Sequence, residues 1–210
     1  MSYGVKLKVW GPYALFTRPE MKVERVSYDV MTPSAARGIL EAVYWKPEIR
    51  WVVDRIHVLK PIRFTNIRRN EVAGKAAITA KTMKEGDRPV HLFIEEDRQQ
   101  RASMVLQDVS YVIEAHFEAA GKNREDPGKH LAMFERRARK GQCFQRPYLG
   151  CREFAADFEW CDTPPASALT DRQDLGFMLH DIDFEEGMSP TFFRAILDNG
   201  VMDCRKEVVA

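Results

Sequence analysis

The stretch TPSAARGILEAVYWKPEIRWVVDRIHVLKPIRF, Thr32 to Phe64, sets a helix directly before a strand with a marked boundary between them. Thr32 is a good N-cap residue, because its hydroxyl can accept from an early backbone amide. Pro33 suits the first helical position, where its missing N–H would have had no partner. Ala36, Ile39, Leu40 and Val43 recur at i, i+3, i+4 and i+7, the core stripe of a helix. Lys46-Pro47 ends it, since the residue before a proline is pushed out of helical geometry. Ile49 to Phe64 is then rich in branched and aromatic residues and reads as a strand.

The flanking sequence extends this pattern. YGVKLKVW (3–10) alternates, with Val5, Leu7 and Val9 on one face, as a half-buried strand does. Residues 66–103 are polar, and NIRRNEVAGKAA and MKEGDRP within them predict loops or a long hairpin. SMVLQDVSYVIEAHFEA (103–119) predicts a long strand, DPGKHLAMFERRARKG (126–141) a second helix and CFQRPYLGCREFAADFEW (143–160) another strand-like segment. The order strand, helix, strand, strand, helix, strand is that of an α+β, ferredoxin-like (RRM-like) domain, an antiparallel sheet with two helices on one face. It is expected to span 1–160, with the 66–103 hairpin or loop as an insertion. After a proline-rich break at TPP (163–165), residues 161–210 are expected to form a small, mostly β C-terminal domain. In it DLGFMLHDIDF, a short helix near SPTFFRAIL and a last strand at GVMDC finish the chain. The fold alone decides no function. The RNP signature of RNA-recognition motifs is missing, so RNA binding would need a different surface.

Composition narrows the class. The 210 residues are 45% apolar and 30% charged, as in a packed globular protein. No apolar run approaches the ~20 residues that span a bilayer. The N-terminus MSYGVKLKVW lacks the apolar segment of a secretory signal, so a cytoplasmic protein without membrane contact is expected. Cys143, Cys151, Cys161 and Cys204 include no CxxC pair, so reduced thiols are expected and no zinc or other cofactor.

The formal net charge of +1 hides an uneven distribution. From Lys122 to Arg152 nine lysines and arginines face three acids, whereas from Glu153 to Gly187 ten acids face Arg172 alone. A basic segment of this kind suits a polyanion. Within the second helix, Leu131, Phe134 and Ala138 share a core-facing stripe. Lys129, His130, Arg136, Arg137 and Lys140 fall on an adjoining basic arc, and Arg139 points elsewhere. The helix start adds amides without internal partners and the positive end of the macrodipole. With Asp126 as cap, Pro127 in the first turn and Gly128 allowing close approach, a phosphate would fit beside Lys129 and His130. An ordinary solvated helix face explains the same pattern, and GKH is not a Walker loop. Tyr44, at the end of the first helix, lies beside the core stripe and within reach of the GKH turn in this fold. An amphipathic aromatic with its hydroxyl in water is the plainer account of it. His116 in EAHFEA reads as a sheet histidine bonded to a neighbour. The pairs Glu95-Glu96 and Glu185-Glu186 read as solvated loop ends.

Several stretches together carry a family likeness: GPYALFTRPE (11–20), AVYWKPEIRWVVDRI (42–56), VLKPI (58–62), EAHFE (114–118), GKH (128–130) and RPYLGCREF (146–154). The chain resembles the CRISPR-associated RAMP endoribonucleases of type I-C systems, the subtype-d members of Cas family five. The resemblance implies cleavage of precursor CRISPR RNA within each repeat, near a hairpin. It also implies that the enzyme stays with the mature RNA as a subunit of a DNA-surveillance complex. Members use a tyrosine, a lysine and a histidine, which carry over onto Tyr44 of YWKP and onto Lys129 and His130 of GKH. The chemistry suits these residues. A 2′-hydroxyl can attack its adjacent phosphate without metal, leaving a 2′,3′-cyclic phosphate and a 5′-hydroxyl, given a proton acceptor, a proton donor and cationic support. Arg136, Arg137 and Lys140, with Arg146 and Arg152 around YLG, are the expected RNA backbone contacts. Alternatives left open are a non-catalytic RNA-binding subunit and a metal-dependent DNA nuclease, with DNA as its partner.

Overall fold

The computed structural model describes residues 4–21, 23–74, 93–120, 127–183 and 187–205. Helix α1 (Pro33–Val43) starts as Thr32 predicts: its hydroxyl accepts from Ala35 N at 3.2 Å, and its carbonyl accepts from Ala36 N at 3.0 Å. Ala36, Ile39, Leu40 and Val43 are buried as the periodicity requires. The helix ends at Val43, because Tyr44 is already extended (φ −152°, ψ 117°) ahead of the proline.

The sheet is organised by one 22-residue strand. Strand β1 (Gly4–Ala14) pairs antiparallel with the second half of β5 (Arg98–Ala119), matching Val5 with Ala115, Leu7 with Ile113 and Val9 with Tyr111. Strand β3 (Ile49–Val58) pairs with β5 on its other side and sets Trp51 opposite Phe117. A bulge between Val53 and Arg55 shifts the alternation, so that the inward set changes from Ile49, Trp51 and Val53 to Ile56 and Val58. The short strand β6 (Asp157–Trp160) lines the far edge of β1. Helix α3 (Pro127–Arg139) packs Phe134 on Trp51, with ring centroids 4.9 Å apart, and shares the buried core with α1. The intervening helix α2 (Ile94–Asp97) is a single turn.

The first half of β5 carries the long hairpin. Strand β4 (Phe64–Val72) pairs with it from Leu106 to Arg98, and the two-residue β2 (Arg25–Val26) adds to it at Ser103 and Met104. The expected strand 49–64 is therefore two strands. Pro61 has no N–H for a ladder, and the chain leaves the sheet between Val58 and Phe64. The MKEGDRP loop lies outside the described residues.

Two further expectations are corrected. Only Asp157–Trp160 of the segment 143–160 is a strand; the rest is irregular, with one bridge from Tyr148 to Ala155. The short helix expected near SPTFFRAIL is strand β8 (Ser189–Asp198), in which Phe193, Ala195 and Leu197 are buried at a period of two. Asn199 and Gly200 both have positive φ, the two-residue turn that asparagine–glycine favours, and they return the chain as β9 (Val201–Asp203). Strand β7 (Gln173–Asp183) pairs with β8, and β9 pairs with β3. The sheet order is thus β6-β1-β5-β3-β9-β8-β7. Among the described residues, no helix is long and apolar enough to cross a membrane.

Gly150 is held at φ +84°, where an added Cβ would sit 2.1 Å from the Leu15 carbonyl oxygen. Gly150→Ala should therefore destabilise the fold by about 2 kcal/mol or more, read as a lower urea midpoint with an unchanged slope.

Candidate active site

The last carbonyls of any α-helix have no partner within it. At the end of α1 four donors from three other segments supply them. Ala42 O accepts from Phe144 N at 2.9 Å and Gln145 N at 3.2 Å. Val43 O accepts from Arg137 Nη1 of α3 at 2.9 Å. Tyr44 O accepts from the Trp51 indole of β3, also at 2.9 Å. The backbone around Tyr44 is thereby pinned from three sides, and its ring faces α3.

There the Tyr44 hydroxyl lies 2.9 Å from His130 Nδ1. The two residues are 4% and 3% exposed, so the pair is buried. The Phe117 ring stands edge-on to the imidazole, centroids 6.0 Å apart, and the Arg137 guanidinium lies 5.2 Å from the centre of the Tyr44 ring. A positive charge over that aromatic face is attracted by the ring quadrupole, and it also complements the negative end of α1.

The histidine is not on the basic arc beside the core stripe, where the apolar pattern had set it, but within the stripe. The buried residues of α3 are His130, Phe134 and Ala138, while Leu131 and Arg137 flank them half-buried. The inward stripe is rotated toward the imidazole because the phenol supplies it with a polar partner, so burial leaves no unmade hydrogen bond there. Lys129, one residue earlier, is exposed. Tyr44 and His130 are thus in direct contact, with an ammonium-bearing residue next in the chain at the helix start. In this pair either the phenol donates to Nδ1 or Nδ1–H donates to the phenol oxygen, according to the imidazole tautomer.

The expected RNA contacts divide. Arg136, Lys140 and Arg152 are exposed. Arg137 is half-buried, with part of its fork committed to the end of α1. Arg146 is paired with Asp157. Arg139, which pointed away on the wheel, bonds Glu135 at 2.8 Å and Asp162 at 3.2 Å. Asp126 lies outside the described residues. The anchoring roles of Arg137 and Trp51 were missed from sequence. The signal for Trp51 was its place in an apolar strand, since a buried indole N–H needs an acceptor.

The other described histidines have structural partners. His116 Nδ1 is 2.9 Å from Asp54, as a bonded sheet histidine, and His180 Nε2 is 3.1 Å from the Cys204 carbonyl. His57 lies 3.2 Å from Glu114, and burial holds its pKa below the usual imidazole value despite that carboxylate. Cys161 and Cys204 are buried thiols whose pKa values burial raises. Among the described residues, no three His, Cys, Asp or Glu side chains gather as metal ligands.

The family model described as "CRISPR-associated protein (Cas_Cas5)", subtype Cas5d, matches residues 4–205. The chain belongs to the Cas5d family. A Mannheimia succiniciproducens protein named "CRISPR pre-crRNA endoribonuclease Cas5d" is 55% identical over 97% of this chain and 95% of its own length. A protein of the same name from Thermus thermophilus is 48% identical over 87% of this chain and 74% of its own. A crystal structure titled as that of a CRISPR-associated protein aligns with TM-score 0.71 at 25% identity, covering 100% of this chain and 97% of the other. The fold is also shared with the functionally uncharacterized protein SMU1763c from Streptococcus mutans. There the TM-score is 0.67 at 24% identity, with 100% and 98% of the two chains covered. In this Cas5d member the likeness runs through both α1 and the GKH helix, the two elements that bring Tyr44 and His130 together.

Because Nδ1 of the buried imidazole depends on the phenol, Tyr44→Phe should lower stability by about 1–3 kcal/mol in urea unfolding. The same change at an exposed tyrosine would be close to neutral.

Proposed function

We propose that this Cas5d chain is an endoribonuclease that cuts precursor CRISPR RNA at the repeat hairpin and stays on the product as a subunit of the type I-C surveillance complex. The Tyr44–His130 hydrogen bond at the GKH helix start carries this reading, in a chain whose relatives are named for that activity. The ribose 2′-hydroxyl attacks the adjacent phosphate, the 5′-oxygen of the next nucleotide leaves, and the ends are a 2′,3′-cyclic phosphate and a 5′-hydroxyl. No metal takes part.

His130 exchanges the proton, and one positioned acid or base typically contributes ~10²–10⁴ in rate. Tyr44 orients the ring through Nδ1 and sets which ring nitrogen carries the proton. Lys129 and the first amides of α3 face the phosphorane oxygens, where one well-aimed donor contributes ~2.7–4 kcal/mol. Arg136, Lys140 and Arg152 grip the RNA backbone. Arg137 serves mainly by positioning Tyr44, and Arg146 can exchange Asp157 for phosphate, because an exposed ion pair contributes only ~0–1 kcal/mol.

The framework for this chemistry is inferred to be a ferredoxin-like unit over 1–160. The antiparallel order β6-β1-β5-β3 and the shared core of α1 and α3 support it. The stretch 161–210 is its small β-rich companion, joined edge to edge through β9.

Cleavage of a repeat RNA should proceed in EDTA and stop when a single 2′-deoxy nucleotide replaces the one at the cut. Cutting of the deoxy substrate would mean another nucleophile and overturn the mechanism. His130→Ala should lower the single-turnover rate by at least ~10² while hairpin affinity stays within a few-fold. Arg136→Ala with Lys140→Ala should weaken binding and flatten the salt dependence. The log–log slope should fall by about 0.7–0.9 for each phosphate that is no longer neutralised, measured by titration at several salt concentrations.

A further inference from the structure

Five large aromatic side chains are exposed among the described residues: Trp45, Phe64, Phe93, Phe144 and Phe177. Two of them belong to the helix end that holds Tyr44. Trp45 follows Tyr44 in extended backbone, where successive side chains point to opposite sides, so the phenol turns inward and the indole outward. The result is 4% exposure for Tyr44 and 55% for Trp45. Phe144 is 83% exposed, yet its own N–H is bonded to Ala42 O, the carbonyl two residues before Tyr44. Both rings therefore stand in water on backbone that the capping of α1 holds fixed.

Exposing a large ring costs free energy that burial would recover, about 25 cal/mol per Å² of apolar surface. A rigid backbone beneath each of two such rings, at one helix end, calls for an occupant. The surroundings choose it. Lys46 next to Trp45, and Lys140 four residues before Phe144, are exposed cations. A protein-binding patch depletes lysine at its centre, whereas aromatic rings set among cations suit the π-faces and phosphates of single-stranded nucleic acid.

We propose that Trp45 and Phe144 are stacking platforms, each taking an unpaired base of the RNA beside the Tyr44–His130 pair. This rests on the ribonuclease reading above. It adds that unpaired nucleotides next to the cut are held by their faces, which tolerates any base but requires an unstacked strand. The platforms position the scissile phosphate and exchange no proton.

The test uses the full chain and a repeat RNA made uncleavable by 2′-deoxy substitution at the cut, with 2-aminopurine at single unpaired positions beside the hairpin. With the wild-type protein, binding should quench the probe at one or more of these positions. Trp45→Ala and Phe144→Ala should each relieve that quenching and weaken affinity about 5- to 150-fold, the range for removing one base–ring stack. Trp45→Tyr and Phe144→Tyr should restore both, and urea midpoints should stay at the wild-type value because neither ring is part of the core. Wild-type affinity and quenching in either alanine variant would overturn the assignment for that residue. Alanine variants that bind RNA normally but fail to assemble with other proteins would give the rings to a protein partner and overturn the proposal. Wild-type protein that does not bind the RNA would remove the ribonuclease reading, and this inference with it.

Discussion

The candidate site depends on how the end of α1 is capped. A helix that stops in the middle of a protein leaves carbonyls that must find donors, and here the donors come from three separate places in the chain. Two amides at 144–145 hold Ala42, the Arg137 guanidinium holds Val43, and the Trp51 indole holds Tyr44. These bonds satisfy the helix terminus and aim the next side chain. A buried imidazole nitrogen without a partner would cost ~1–3 kcal/mol, and on the inner stripe of α3 the phenol supplies Nδ1 of His130 with one. Capping and site geometry are thus one feature of the structure.

Charge is arranged by the same packing. The basic segment 122–152 and the acidic segment 153–187 meet where β6 runs along β1. Asp157 pairs with Arg146 and Asp162 with Arg139, while Glu159 reaches Lys8 of β1. These pairs are exposed and individually weak. They lower the local field without burying the cations, which leaves Arg136, Lys140 and Arg152 at the surface. The nearly neutral total charge is therefore compatible with a cationic face, because the neutralising acids are concentrated on neighbouring elements.

Much of this was legible in the residues. The start of α1, its stripe, the alternation of β1 and the 103–119 part of β5 are local patterns with one physical solution each, so they read correctly, although β5 itself begins earlier, at Arg98. Tyr44, Lys129 and His130 stood out from motif likeness and chemistry together. The errors share a cause. SPTFFRAIL was read for helix although Phe193, Ala195 and Leu197 alternate and Asn199-Gly200 follows, a pattern whose meaning depends on a partner strand being present. His130 was set beside the core stripe and not within it, because a helical wheel weighs apolarity alone and cannot see a hydroxyl arriving from another element.

The chain by itself determined where helices begin, which positions must leave water and which residue types are equipped for phosphate chemistry, because those follow from backbone sterics, side-chain period and functional groups along a few consecutive residues. Tertiary structure alone decided that Tyr44 and His130, 86 positions apart, share a hydrogen bond. It also decided that Arg137 braces a helix end and that the C-terminal strands continue the sheet through β9. Such bonds depend on which distant donors and acceptors the close-packed interior brings within about 3 Å, and no local pattern encodes that distance.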